Sequence, residues 1–206
     1  MRYLLLTALA TALVCGGCGG DDDSLLDYGT DGGTSCNLGE YSGDFTISAQ
    51  SDGATLAGYT SISGELRIEC PSCADLNELI CLTWVGGDLY ICGNPTLTNL
   101  DGLGAVTSVG GHLIIGDNNV LANLNGLSVI TSTGGSLSIY ENGALTDLDG
   151  LSALTSVGEN LWISKNGNLP DCEACDLLGQ LTATPHQITI FDNFDDTCTP
   201  APDNCP

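Results

Sequence analysis

The sequence predicts an all-β protein built as a parallel β-solenoid, and three observations support this fold class. One motif recurs about every 24 residues between positions 85 and 169, a period typical of solenoids, in which each coil buries its apolar edge against its neighbours. Within each copy Leu and Ile lie two residues apart, which is the spacing of inward-facing side chains in a short strand. An Asn then follows the strand at the same place in every copy.

The strand is the first element of each copy. The copies read "VGGDLYICGNPTLTNLDGL", "GGHLIIGDNNVLANLNGL", "GGSLSIYENGALTDLDGL" and, less regularly, "GENLWISKNGNLPDCEAC"; weaker copies occupy 42–62 and 64–85, and a last strand is predicted over 187–193. The inward columns are Leu89, Leu113, Leu137 and Leu161, then Ile91, Ile115, Ile139 and Ile163. The outward residues between them are Arg67, Tyr90, Ile114, Ser138 and Trp162, with Tyr140 and Phe191 one place beyond their strands on the same side.

Two bends and a run of leucines complete each copy. Paired glycines are expected to turn the chain into the strand. Asn is expected to turn it out, because Asn tolerates left-handed geometry and its amide can bond to the coils above and below. This predicts a structural asparagine ladder of Asn94, Asn118, Asn142, Asn166 and Asn193. A second bend is predicted at Asp101, Asn125 and Asp149, each followed by Gly. The leucines spaced by three indicate a tight turning segment that lines the remaining walls.

These residues carry a family resemblance. The pattern "VGGxLxIxxNxxLTxLDGLxxLTSV" resembles the receptor L-domain repeat of insulin- and growth-factor-receptor ectodomains, and more closely the L-domain-like repeats of bacterial surface lipoproteins. The resemblance covers about 42–193, is most specific over 86–169, and implies a right-handed parallel β-helix. The leucine-rich repeat is the neighbouring alternative, but its Asn is normally followed by one residue before the next Leu, and here two intervene.

The N-terminus predicts export and lipid anchoring. Residues 1–17 are assigned to a lipoprotein signal peptide, whose apolar run from Tyr3 to Val14 is too short to span a bilayer. The stretch "VCGGCGGDDD" resembles a bacterial lipobox with Cys18 as the acylated residue, and Gly19 resembles the sorting pattern for the outer membrane. Ordinary secretion with cleavage nearby is the alternative. Residues 18–35 are interpreted as a flexible acidic tether and 36–206 as the solenoid, with regular coils at 86–169 and a C-terminal cap at 170–206.

The charge balance restricts the class of partner. The chain has 26 acidic residues against three Lys and Arg, giving a formal net charge of −23. Nucleic acid is excluded, since phosphate binding depends on clustered basic side chains. An acidic membrane surface would repel the chain, so the expected membrane contact is the N-terminal lipid alone.

The cysteines are expected to fasten the two ends of the solenoid. The candidates for disulfides are Cys36, Cys70, Cys73, Cys81, Cys92, Cys172, Cys175, Cys198 and Cys205, an odd number that leaves room for one free thiol. Cys70 with Cys92 is the favoured N-terminal pair, because the two lie on adjacent coils. A capping helix is predicted behind Pro170, pinned by Cys172 and Cys175 to the cysteines of the tail.

A metal site is the alternative use of these cysteines. "CPSC" and "CEAC" both have the spacing of zinc ligands. The two pairs lie about four coils apart, which is roughly 20 Å, so they cannot share one ion. No metal or cofactor is therefore predicted. Calcium bound between coils stays an open alternative.

The sequence favours binding over catalysis. The chain has two histidines, of which His112 is expected at the surface, and no HExxH, GxSxG or phosphate loop. The predicted binding face is an aromatic stripe of Tyr90, Ile114, Tyr140 and Trp162, about 14 Å from Tyr90 to Trp162. Exposed aromatic rings beside acids can hold sugars or a protein.

We therefore expect a non-catalytic, lipid-anchored module of the bacterial surface that recognises an extracellular protein or glycan. A purely structural envelope protein, in which aromatic residues merely suit an exposed sheet, is one alternative. A carbohydrate-active β-helix enzyme is another. A column of Thr83, Thr107, Thr131 and Thr155 could suggest ice binding, although a turn beside the core explains it more simply.

Overall fold

The strands form two parallel sheets. The computed structural model describes residues 35–194. The seven-stranded sheet contains, in spatial order, β2 (Phe45–Ile47), β4 (Leu66–Ile68), β6 (Leu89–Cys92), β8 (Leu113–Gly116), β10 (Leu137–Tyr140), β12 (Asn160–Ser164) and β13 (Gln187–Phe191). The six-stranded sheet contains β1 (Glu40–Tyr41), β3 (Ser61–Ile62), β5 (Trp84–Val85), β7 (Ser108–Val109), β9 (Ser132–Thr133) and β11 (Ser156–Val157). The chain alternates between the sheets, which makes the fold a parallel, solenoid-like one.

The strand register reproduces the columns read from the sequence. Leu89, Leu113, Leu137 and Leu161 pair in succession, and so do the four Ile residues two places later. All eight side chains are buried. The six-stranded sheet was not predicted, because its strands have only two residues each, too few to show an alternating pattern.

The paired glycines allow neighbouring coils to approach closely. A Cβ on Gly134 would overlap the carbonyl oxygen of Gly110 in the preceding coil, and Gly158 stands in the same relation to Gly134. None of these three glycines has a positive φ. These glycines lie at the bend between the two strands of a coil, as predicted, and they also remove side chains from between two stacked backbones.

The predicted asparagine ladder is present and runs through the stack. Asn118 Oδ1 accepts hydrogen bonds from the backbone N–H and the side-chain Nδ2 of Asn94 at 3.2 and 2.9 Å, and Asn118 Nδ2 donates to the Ile91 carbonyl at 2.8 Å. The same bonds join Asn118, Asn142, Asn166 and Asn193 in turn. The left-handed backbone lies one residue earlier than expected, with φ between 55° and 68° at Gly93, Asp117, Glu141, Lys165 and Asp192.

Leucines before and within the second bend fill the core. The predicted bends are 3₁₀ turns over Asp101–Leu103, Asn125–Leu127 and Asp149–Leu151. Leu97, Leu100 and Leu103 are at most 1% exposed. Each buried leucine contributes about 1.5–3 kcal/mol to folding. The spacing of three thus brings three leucines from one coil into the same core.

The N-terminal disulfides differ from the expected pairing. Cys36 bonds to Cys81, and Cys70 bonds to Cys73. The expected Cys70–Cys92 pair is wrong. Cys70 is fully buried, whereas Cys92 pairs with Gly116 on the outward side of the seven-stranded sheet. Ile68 and Ile91 are in register, so Cys70, two places after Ile68, faces the core, and Cys92, one place after Ile91, faces out. Cys92 is the free cysteine of the described range.

The predicted helix behind Pro170 covers the C-terminal coil. Helix α1 (Asp171–Gln180) is tied to it by Gln180 Nε2, which donates to the carbonyl oxygens of Leu151 and Leu154 at 2.7 and 2.9 Å. Cys172 and Cys175 are disulfide-bonded. Within residues 35–194 no helix has the length and apolar character to cross a bilayer. Several predictions lie outside the described residues: the signal peptide, the tether up to 34, and three cysteines, Cys18, Cys198 and Cys205.

Candidate binding face

Two rows of side chains cover the outward side of the seven-stranded sheet. The first row is the one the alternation predicts: Arg67, Tyr90, Ile114, Ser138 and Trp162. The second row lies two residues later and consists of Cys92, Gly116, Tyr140, Ser164 and Phe191. Tyr140 and Phe191 end β10 and β13 instead of following them. The predicted face of Tyr90, Ile114, Tyr140 and Trp162 therefore lies on one side of one sheet.

The two rows line a groove of about 540 Å³. It crosses the strands, with Arg67 among its lining residues on β4 and Phe191 on β13. Small-molecule sites typically measure about 300–1,000 Å³. The groove is thus large enough for a ligand that lies along the stack of coils.

The ring of Tyr140 forms one side of the groove. It lies over Gly116, where a Cβ would overlap the ring, and its hydroxyl reaches to 3.9 Å from Cys92 Sγ. Burial raises the pKa of the Tyr140 phenol to about 12, and the neighbouring thiol acts in the same direction. Burial also raises the pKa of the Cys92 thiol. Both groups are therefore protonated and uncharged at neutral pH.

Tyr90 is partly covered by a cation of the protein itself. The Arg67 guanidinium carbon lies 4.0 Å from the centre of the Tyr90 ring, a cation–π contact. Arg67 is held by Glu65 and Glu69, each at 2.8 Å, and the hydrogen bond to Glu69 is the main reason that its pKa is raised. The Tyr90 hydroxyl donates to Asp88 at 3.1 Å. Tyr90 therefore offers less free ring to a ligand than the sequence suggested.

Trp162 supplies the most exposed ring of the first row. It is 42% exposed. Its Nε1–H donates to Ser164 Oγ at 2.7 Å, and its ring meets Phe191 edge to face at 5.6 Å between ring centres. Two contacts fix the indole while much of it stays exposed, so this ring is a preformed apolar platform.

A charged rim runs beside the second row. Asp117, Glu141 and Lys165 all have left-handed backbones. Lys165 Nζ lies 2.9 Å from Glu141 Oε1, and this contact lowers the pKa of Glu141 and raises that of Lys165. Burial, followed by the Glu141 carboxylate, raises the pKa of Asp117. The one lysine of the described range is thus paired with a neighbour on its own rim.

Comparison with known proteins does not identify a ligand for the groove. No protein-family model, curated protein or solved structure matches the chain. The resemblance to the receptor L-domain stays a prediction. The function is therefore inferred from the groove, its charges and its exposed rings.

The other candidate residues have structural surroundings. His112 is half-buried, and its Nδ1 accepts the backbone N–H of Ser136 at 2.8 Å. Each threonine of the exposed column donates its hydroxyl to a carbonyl of the preceding coil, as Thr107 does to Thr83 at 3.1 Å. Among residues 35–194 no group of three or more His, Cys, Asp or Glu is placed to hold a metal ion. These side chains link successive coils.

Sequence reasoning missed two features of the groove. Cys92 stands one repeat before Gly116 and two before Tyr140, an alignment that could have placed it on the face and not among the disulfide candidates. The covering of Tyr90 by Arg67 had no such signal. It depends on the side-chain conformations of residues on adjacent strands, and the repeat pattern does not specify them.

Proposed function

We propose that this protein is a non-catalytic, lipid-anchored surface module that recognises an extracellular protein or glycan through the groove of its seven-stranded sheet. The exposed Trp162 ring carries the proposal. Trp162, 42% exposed, meets Phe191, 37% exposed, within the groove, and together the two rings form an apolar patch of the kind that marks binding sites.

The rigidity of the groove supports recognition. Trp162 and Tyr140 both lie on strands that are paired on either side. The buried asparagine ladder fixes the spacing of those strands. A preformed site loses little side-chain entropy when a ligand binds, which favours affinity.

A lipid at Cys18 and location at the outer membrane complete the proposal. The disulfides Cys36–Cys81 and Cys70–Cys73 support export, since such bonds persist in oxidising compartments. The resemblance to the L-domain adds a right-handed solenoid with coils of about 24 residues. Intact mass of the protein extracted from its host tests the anchor. A lipid-sized excess on a chain starting at Cys18 supports it, and an unacylated chain makes the protein a secreted one.

A pair of tryptophan variants tests the binding role. Trp84 lies on β5 in the other sheet and is 37% exposed, so it matches Trp162 in residue type and exposure. We expect the labelled full chain to bind intact bacterial cells saturably, with binding lost in Trp162→Ala and kept in Trp84→Ala. Melting temperatures should be similar for both variants. Absence of saturable binding by the unaltered chain would favour a structural envelope protein, and polysaccharide turnover by the purified chain would indicate an enzyme.

A further inference from the structure

The basic side chains beside the groove are already neutralised. Arg67 is paired with Glu65 and Glu69, and Lys165 is paired with Glu141. These two are the only Lys or Arg of residues 35–194. The described part of the chain therefore offers no unpaired cation to an anionic ligand, and the net charge of −23 repels one.

The centre of the groove is small and uncharged. Ile114 and Ser138 lie in the first row between Tyr90 and Trp162. The Ser138 side chain is half-buried, and within the described residues its hydroxyl has no hydrogen-bond partner. The floor thus combines an apolar surface with one hydroxyl that can both donate and accept.

The walls of the groove are aromatic. Trp162 bounds the centre on one side and Tyr90 on the other, three strand spacings or about 14 Å apart. Tyr140 lies along the second row beside them. The space between these rings is elongated along the stack and bounded by flat apolar surfaces.

We propose that this groove binds a neutral oligosaccharide. The inference rests on the recognition role proposed above and names its ligand class. Pyranose rings have apolar C–H faces that stack on Trp and Tyr, and hydroxyls that bond to groups such as Ser138 and the carboxylates of the rim. An extended peptide is the other ligand of suitable length. It carries unpaired backbone N–H and C=O groups; the carboxylates of the rim could accept from the N–H groups, but the floor offers the C=O groups the Ser138 hydroxyl as the one donor.

Each group has a distinct role in this complex. Trp162 stacks on one sugar ring, Ser138 bonds to a hydroxyl of the next, and Tyr140 limits the width of the groove. Gly116 permits this position of Tyr140, because any side chain there would displace the phenol ring.

Titration of the full chain with a panel of neutral and acidic oligosaccharides tests the inference. Calorimetry measures binding directly, and tryptophan emission in the Trp84→Phe background reports on Trp162. We expect a neutral oligosaccharide to bind, Trp162→Ala to weaken it at least about tenfold, and Trp84→Ala to leave it unchanged. Ser138→Trp fills the groove from a half-buried position and should abolish binding, which keeps the test valid if Trp162→Ala does not fold.

The outcomes separate this inference from the broader proposal. Preferred binding of acidic oligosaccharides would overturn the neutral ligand class. If no neutral oligosaccharide binds while attachment to cells still requires Trp162, the inference fails and the recognition role stands with a protein partner. If attachment to cells is unaffected by Trp162→Ala and by Ser138→Trp, both proposals fail.

Discussion

The phenol ring of Tyr140 lies over Gly116, in the space that a Cβ at position 116 would occupy. The two residues are neighbours in register on β10 and β8. Because Gly116 has no side chain, the Tyr140 ring can occupy this space. The position of that ring in turn determines the shape of the groove.

Replacing Gly116 with Ala should displace the Tyr140 ring and leave the fold intact, because the overlapping atoms are at the far end of a side chain. With the ring moved towards solvent, the pKa of Tyr140 should fall towards its ordinary value. Absorbance titration of the phenol measures the shift. Gly167→Ala is the control, since a Cβ at position 167 would meet no atom within 4 Å. An unchanged titration in Gly116→Ala would contradict this geometry.

Ionisation of Tyr140 should make stability depend on alkaline pH. Burial raises its pKa to about 12 in the folded chain, whereas an unfolded tyrosine ionises near about 10. The folded state therefore holds the proton more strongly. This contribution to stability is complete below about pH 10 and is lost as the pH rises towards 12. Urea unfolding across this range should show a steeper loss for the unaltered chain than for Tyr140→Phe, and equal slopes would disprove the assignment.

Cys92 should react slowly with thiol reagents in the folded protein. Burial raises its pKa, and the thiolate is the reactive form. Iodoacetamide labelling at pH 8, followed by peptide mass analysis, should be slow under native conditions and fast in denaturant. Cys92→Ser identifies the labelled peptide. Equal rates in the two conditions would show that the thiol is not shielded beside Tyr140.

Asn118 and Asn119 offer a matched test of the ladder. Asn118 is fully buried and bonded to both neighbouring coils, whereas Asn119 is exposed and accepts one long hydrogen bond, from the Gly143 N–H at 3.4 Å. Asn118→Ala leaves several buried polar groups without partners and should cost more than about 3 kcal/mol of unfolding free energy. Asn119→Ala should change it by less than about 0.5 kcal/mol. Chemical unfolding of both variants measures the difference, and similar values would argue against the ladder as a source of stability.

The repeating features could be predicted because each copy supplies independent support. Leu89 and Ile91 show a period of two, and three further copies repeat it in the same register. The Asn column is equally regular, so its position and its bonding between coils were both predictable. The left-handed residue before each Asn was not, because Asp117, Glu141 and Lys165 share no residue type that favours that conformation.

Features outside the repeat could not be inferred in the same way. The pairing of Cys70 depends on which side of the sheet each sulfur faces, and proximity in the repeat suggested Cys92 instead. Alternation places the groove residues on the correct face. Their exposure was not predictable, since the position of Arg67 over Tyr90 depends on side-chain packing between two strands.

The asparagine ladder has a consequence for how such a chain can change in length. Asn118 receives from Asn94 the same bonds that Asn142 receives from Asn118, so the junctions between successive copies are interchangeable. A tandem duplication of one copy would add one more strand to each sheet and about 4.8 Å of groove while every existing junction stayed as it is. Insertion of a single residue in a strand would instead turn its core side chains to solvent. Evolution can therefore lengthen this surface only by whole repeats, and each added repeat would allow a correspondingly longer ligand to bind.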